Sequence, residues 1–121
     1  GELRTRQICQ AAACHPRSGA KVWFNQAHLF HISALEQQLR ETLLDVVDEE
    51  DLPRNVYYGD GSVIEDGILD EIRSVLDSET ISFPWHRDDV LMLDNMLVAH
   101  GRGPFTGPRK VVVAMAQDYG A

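Results

Sequence analysis

His100 and Arg109 are the two residues whose types and spacing are best suited to chemistry in this chain. His100 follows an apolar segment that has the pattern of a strand, and Arg109 comes nine residues later, across a turn rich in glycine and proline. Imidazole is a common metal ligand, and a guanidinium binds a carboxylate through two parallel hydrogen bonds. The pair therefore indicates a metal site beside an anion site, although a histidine at a strand end is more often a hydrogen-bonded structural residue.

A second metal-binding pattern is the His-x-Asp form of His86 and Asp88. On a strand these two side chains would share a face. However, the segment from Asp89 to Leu93 runs directly away from them, over about 16 Å at roughly 3.3 Å per residue, before it can turn back toward His100. We therefore interpret His86 and Asp88 as solvent-exposed turn residues and not as metal ligands.

Five stretches of the sequence carry a resemblance to a known family. In chain order they are His15–Gly19, Val22–Gln26, Tyr58–Ser62, Asp89–Asn95 and His100–Arg109. With these stretches in register, the chain resembles the taurine dioxygenase (TauD/TfdA) family of Fe(II)- and 2-oxoglutarate-dependent oxygenases. It is most similar to the SyrP-like hydroxylases associated with nonribosomal peptide and siderophore gene clusters, and the resemblance covers nearly the full chain.

The resemblance assigns roles to residues near the C-terminus. Such enzymes hold iron with two histidines and one carboxylate, which leaves positions open for 2-oxoglutarate and oxygen. His100 matches the distal iron ligand, and Arg109 matches the arginine that binds the far carboxylate of 2-oxoglutarate. Lys110 occupies the adjoining position, and only one of these adjacent residues is expected to face the pocket. Arg102 is a further candidate for contact with substrate or co-substrate, with a surface ion pair as the equal alternative.

The resemblance also implies that a ligand pair is missing. In the family the His-x-Asp/Glu pair precedes the region matched by His15 and Gly19, yet the segment from Gly1 to Cys14 contains no histidine. We therefore interpret residues 1–121 as a single domain that forms the C-terminal part of an oxygenase domain, and we expect the isolated chain to be inactive.

Composition limits the partners and the location. The chain has 121 residues and a formal net charge of −8, which argues against nucleic-acid and anionic-membrane partners. It has no apolar run long enough to cross a membrane and no signal-peptide pattern, so we expect a cytoplasmic location. Cys9 and Cys14 are too few for a disulfide framework and are interpreted as free thiols.

Hydrophobic periodicity predicts an α+β fold. A hairpin is expected from Leu3–Ala13 and Lys21–Asn25, followed by two amphipathic helices that begin at the capping-box pairs Ser33/Glu36 and Ser62/Glu65. The apolar face of the first helix is expected to be core. Three or four antiparallel strands are predicted from four segments rich in β-branched residues, namely Thr80–Phe83, Val90–Leu93, Met96–Ala99 and Lys110–Met115. The resemblance refines this pattern to part of a double-stranded β-helix (jelly-roll) with a two-helix insertion.

Other polar residues are candidates to stabilise turns or to line a pocket. His15 is expected to stabilise the turn at Pro16, and Asp94 to cap a turn at a strand end. Other polar and aromatic residues are candidates to line a substrate pocket, with surface or partly buried positions as the stronger alternative; they are Asn25, Gln26, His28, His31, Tyr57 and Tyr58.

Two functions remain open from the sequence. The first is an oxygenase in which iron and O2 couple decarboxylation of 2-oxoglutarate to hydroxylation of an amino-acid-like substrate, either free or tethered to a carrier protein. The second is a noncatalytic jelly-roll-derived module that binds a partner, associates with itself or pairs with the missing N-terminal portion. A hydrolase is disfavoured because the sequence shows no Ser/His/Asp set in a recognisable context.

Overall fold

The computed structural model describes residues 3–116. It contains two strands, β1 (Ala12–Cys14) and β2 (Lys21–Trp23), and three helices, α1 (Ala27–Phe30), α2 (Gln37–Val46) and α3 (Asp66–Ser78). Two short 3-10 turns cover Ile32–Ala34 and Glu49–Asp51. The predicted α+β class is confirmed.

The two strands form the predicted hairpin. They pair antiparallel, with Ala12 opposite Trp23 and Cys14 opposite Lys21. Gly19 closes the connecting turn with a left-handed φ of 70°, and its N–H donates to the carbonyl of His15 at 2.8 Å. The strands are shorter than predicted, because the ladder extends over only three residues on each side.

Helix α2 begins later than predicted, and the capping box at Ser33 and Glu36 does not form. Ser33 lies in the first 3-10 turn, where its N–H donates to Nδ1 of His31 at 3.1 Å. The helix starts at Gln37 without a side-chain cap. The prediction that its apolar face is core is also wrong in the described structure, where α2 has no buried residue and Leu39 is 54 % exposed.

Helix α3 is the predicted second helix, again with a later start. Ser62 does not cap it, because both its N–H and its hydroxyl donate to Oδ1 of Asp60, at 2.9 and 2.7 Å. The first turn instead begins with Asp66, whose negative charge favours a helix N-terminus. Leu69 is fully buried in a small core, whose other members are Ala27 and Ile64, with Val56 and Ile72 packed against it.

Polar contacts tie α3 to the segment around α1. The Arg73 guanidinium donates to the carbonyl of His28 from Nε and Nη2, at 3.0 and 2.8 Å, and Nη2 also reaches Oγ of Ser33 at 2.8 Å. Arg40 of α2 forms an ion pair with Asp66 at the start of α3. The helices are therefore positioned by charge-assisted hydrogen bonds as much as by apolar packing.

The region from 79 to 116 forms no strand in the described structure, so the three or four strands predicted there are not present in it. A strand requires a neighbour for its backbone N–H and C=O groups, and none of these segments pairs with another described segment. Their side chains remain exposed, to 93 % for Val90 and 92 % for Met92. None of the helices in residues 3–116 has the length and apolar character needed to span a membrane.

Candidate functional site

His100 lies on the surface of the region that follows α3. Its side chain is exposed, and neither ring nitrogen forms a hydrogen bond or ion pair with another residue in the range 3–116. Water can satisfy the ring nitrogens of an exposed imidazole, so the assignment of His100 as a metal ligand stays a prediction.

The other histidines have different surroundings. His15, His31 and His86 each place a ring nitrogen next to a partner in their own turn, namely Ser18, Ser33 and Asp89. His28 is half-buried, and its Nδ1 has no hydrogen-bond partner among the described residues. Burial, followed by the charge of Arg73, lowers the pKa of His28 and so favours its neutral form.

Arg109 is held locally by an aromatic ring. Its guanidinium carbon lies 4.8 Å from the ring centroid of Phe105, a cation–π contact that orients the side chain without using its N–H donors. Arg102 and Lys110 are exposed and form no ion pair within the described part of the chain. The donors of all three cations are thus available for an anion, but the structure does not bring any of them together with His100 in a common pocket.

An iron site of this kind needs two histidines and a carboxylate. No group of three or more His, Cys, Asp or Glu side chains among the described residues could hold a metal ion. The imidazole of His100 is a suitable ligand type, but the described residues do not complete an iron site. No reaction step follows from these residues alone.

His86 and Asp88 are solvent-exposed turn residues, as predicted. Their side chains are 74 % and 92 % exposed, and Asp88 has a left-handed φ of 70°. The His86 N–H donates to Oδ2 of Asp89 at 2.7 Å, which closes the turn. The pair belongs to a local turn in this fold, and the expectation that it binds no metal stays a prediction.

The structure brings together two residues that the sequence did not connect, His15 and Asp94. His15 is 7 % exposed, and its Nε2 lies 3.0 Å from Oδ2 of Asp94, across 79 positions of sequence. Each residue also stabilises a local turn, as predicted, although no strand ends at Asp94 in the described structure. Nδ1 of His15 accepts the Ser18 N–H at 3.1 Å, and Oδ1 of Asp94 accepts the Met96 N–H at 3.0 Å. No sequence signal linked them, since their contact depends on how the hairpin packs against the C-terminal region.

The remaining pocket candidates have structural partners. Asn25 bridges the hairpin to α1, donating to the carbonyl of Gln10 at 2.9 Å and accepting the Ala27 N–H at 2.7 Å. The buried His31 has a lowered pKa, first because of burial, with Asp66 opposing the shift and Arg40 and Arg73 supporting it. The structure therefore favours packing and turn roles for these residues.

Gln26 and the two tyrosines are at least partly exposed. Gln26 precedes α1 as its cap residue without a side-chain hydrogen bond. The hydroxyls of Tyr57 and Tyr58 donate to Glu49 and Glu65, at 3.3 and 3.0 Å, and both rings are partly exposed. Tyr58 donates to a carboxylate, and this hydrogen bond raises its pKa. The tyrosines have the partly buried positions that the sequence favoured over a substrate channel.

A surface groove of about 470 Å³ lies between α2 and α3, lined by residues that include Arg40, Leu44 and Asp66. Its lining does not include His100, Arg102 or Arg109. Cys9 and Cys14 are free and exposed. Neither the groove nor the thiols add a residue to the predicted metal and anion site.

Comparison with known proteins places the sequence in a family. The family model "Taurine catabolism dioxygenase TauD, TfdA family" matches residues 1–115. The chain is 47 % identical over 113 residues, 93 % of its length, to the dapdiamide synthesis protein DdaC of Enterobacter agglomerans. It is also 37 % identical over 71 residues, 58 % of its length, to a clavaminate synthase-like protein of Arabidopsis thaliana.

These alignments cover 34 % of DdaC and 22 % of the Arabidopsis protein, so the chain spans about a third or less of the length of the curated relatives it matches. No solved structure matches it significantly. The family match extends over nearly the whole chain and agrees with the resemblance seen in its motifs. The chain belongs to the taurine dioxygenase (TauD/TfdA) family.

Proposed function

We propose that this chain is part of an Fe(II)- and 2-oxoglutarate-dependent oxygenase that hydroxylates an unactivated C–H bond of an amino-acid-like substrate. The observation that carries the proposal is the family match over residues 1–115. The 47 % identity to a dapdiamide synthesis protein supports a role in the biosynthesis of a peptide natural product or siderophore. The substrate is then a free amino acid or one tethered to a carrier protein.

His100 is proposed as one iron ligand of the complete protein. The support is chemical: its imidazole is exposed and has no partner within residues 3–116, whereas His15, His31 and His86 are engaged in their own turns. Neutral imidazole suits ferrous iron. The iron, with O2 and 2-oxoglutarate, would supply the oxidising power, and this chain would supply one ligand and the anion site beside it.

Arg109 is proposed to bind the distal carboxylate of 2-oxoglutarate. Its contact with the Phe105 ring leaves the planar guanidinium edge available for two parallel hydrogen bonds. Lys110 is the alternative if the register differs by one residue, and Arg102 is the further cation near His100 in sequence. An ammonium cannot form the bidentate pair, which favours Arg109.

The remaining iron ligands are proposed to come from outside the described residues, which contain no cluster of three candidate ligands. The exposed apolar segments after α3 are proposed to pack as jelly-roll strands against the portion of the domain that carries those ligands. In that arrangement the isolated 121-residue chain is inactive, and its apolar segments favour self-association when their partner is missing.

The test uses the complete protein that carries this sequence. Anaerobic Fe(II) binding is measured by calorimetry, and succinate formation is measured with 2-oxoglutarate and O2. We expect stoichiometric iron binding in the wild type and loss of succinate formation in His100→Ala, since removal of a ligand leaves the site incomplete. The fold should be unchanged because the side chain is exposed.

His86→Ala is the matched control, since His86 is also exposed but is expected to bind no metal. It should retain iron binding and succinate formation. Normal succinate formation in a folded His100→Ala protein would show that the ligand assignment is wrong. Loss of iron binding in His86→Ala would assign the site to the His-x-Asp pair instead.

A further inference from the structure

The contact between His15 and Asp94 joins the region before residue 79 to the region after it. It connects the hairpin turn to the segment that leads to His100. Within the described range, no other hydrogen bond between two side chains crosses residue 79. The His15 ring is 7 % exposed, so the bond is shielded from water on the histidine side. The Asp94 side chain is 46 % exposed, so the bond gains strength chiefly from the charge of the carboxylate.

The surroundings of the ring determine which nitrogen carries the proton in neutral His15. Nδ1 accepts the backbone N–H of Ser18 at 3.1 Å, so it has no hydrogen of its own. Nε2 is then protonated and donates to Oδ2 of Asp94 at 3.0 Å. The hairpin turn therefore sets the direction in which His15 presents its donor.

Asp94 organises the turn that follows it. Oδ1 accepts the Met96 N–H at 3.0 Å, and the Asp94 carbonyl accepts the N–H groups of Leu97 and Val98 at 3.0 and 3.1 Å. The Met96 N–H and then the hydrogen bond from His15 hold the pKa of Asp94 below its ordinary value. One oxygen of the ionised carboxylate thus accepts the hydrogen bond from His15 of the hairpin turn, and the other accepts the Met96 N–H of the 94–98 turn. His100 lies two residues after that turn.

Ser18, His15 and Asp94 together have the composition of a hydrolytic triad, but the contacts differ from one. In such a triad the histidine accepts the serine hydroxyl proton and acts as a general base. Here Nδ1 is also engaged by the backbone N–H of Ser18, and the hydroxyl, 2.9 Å from Nδ1, lies within the same turn. The arrangement fixes a conformation and does not present a nucleophile.

We propose that His15 is a positioning residue, whose Nε2–H bond to Asp94 holds the 94–98 turn against the hairpin and so fixes where His100 is presented to the metal. This inference rests on the proposed function, because it assumes that His100 is an iron ligand. Removing a residue that orients a metal ligand typically lowers the metal affinity by about 10- to 100-fold.

The experiment measures the anaerobic Fe(II) dissociation constant and the thermal unfolding midpoint of the complete protein. His15→Leu removes the donor and replaces the ring with an apolar side chain. We expect it to raise the dissociation constant by about 10- to 100-fold. His15→Gln, which places an amide N–H near the position of Nε2, should restore most of the affinity. Affinities are compared at a temperature where all variants are folded, so a purely structural role would lower the midpoint without changing the affinity.

Two further variants keep the proposal open to contradiction if His15→Leu does not fold. Asp94→Asn can still accept the Met96 N–H but turns an amide toward His15, so it should weaken iron binding. Ser18→Ala removes a local hydroxyl contact and should bind iron like the wild type. Unchanged affinity in Asp94→Asn or folded His15→Leu overturns the inference, as does an equal loss in His15→Gln and His15→Leu. Failure of the wild type to bind iron overturns the proposed function and this inference with it.

Discussion

The regions before and after residue 79 contain similar apolar side chains but differ in what those side chains contact. In the first region Leu69 is fully buried, and α3, α1 and the hairpin satisfy one another's polar groups. In the second region apolar residues such as Val90 and Met92 are more than nine-tenths exposed. Local helices and a tight hairpin can form from near neighbours, whereas sheet segments need partners that are distant in sequence. The first region therefore supplies packing, and the second carries the residues proposed for chemistry.

Arg109→Ala is expected to have the largest effect, and it tests whether the second region carries the chemistry. In the complete protein it should raise the 2-oxoglutarate requirement far more than it changes substrate affinity. Loss of a bidentate, charge-assisted pair costs on the order of 2–5 kcal/mol. The measurement is KM for 2-oxoglutarate beside KM for the substrate. Lys110→Ala is the control, and a larger effect there would shift the proposed register by one residue.

Leu69→Ala is expected to have the next largest effect, this time on stability. Its neighbours form a small cluster that can partly collapse around the lost volume, so we expect a loss at the lower end of the usual range, about 2–3 kcal/mol. The free energy of unfolding is measured for the 121-residue chain by urea titration with circular dichroism.

Leu91→Ala provides the matched control for Leu69→Ala, because Leu91 is the same residue type at 45 % exposure in the second region. In the 121-residue chain it should cost less than about 1 kcal/mol. An equal loss for both variants would contradict the difference between the regions. A larger loss for Leu91→Ala in the complete protein than in this chain would indicate that a partner buries that segment there.

The smallest predicted effect is a pH dependence of stability that arises in the first region. Burial lowers the pKa of both His28 and His31 in the folded state, so the unfolded chain takes up protons at a higher pH than the folded one. The stability contribution is present above the ordinary histidine pKa of about 6.5 and is lost as the pH falls toward the lowered values. Urea midpoints should therefore fall between pH 7.5 and pH 5.

His31→Gln should reduce this slope, because it removes one of the two rings whose pKa is lowered in the folded state. The charged groups that act on His31, namely Asp66, Arg40, Arg73 and Glu49, remain in place in that variant. His86→Gln changes an exposed ring and should leave the slope as in the wild type. A slope that responds to His86→Gln but not to His31→Gln would contradict the role of burial.

The sequence by itself determined the elements that depend on near neighbours. It predicted the hairpin, because Gly19 and the residues from His15 close a turn within six positions, and it predicted the existence of α2 and α3 from their apolar periodicity. It also identified the exposed turn at His86 and Asp88. The sequence motifs were also sufficient to identify the family, which the match of the family model over residues 1–115 confirms.

The three-dimensional structure showed where the helices start, and tertiary packing decided which distant polar groups meet. The hydroxyl-bearing residues expected to cap α2 and α3 contact nearer partners instead, His31 for Ser33 and Asp60 for Ser62. Strand propensity after residue 79 did not produce a sheet, since propensity cannot supply a pairing partner. The bond between His15 and Asp94 crosses 79 positions, and no local pattern encodes such a contact because it exists only when the hairpin and the C-terminal turn are packed together.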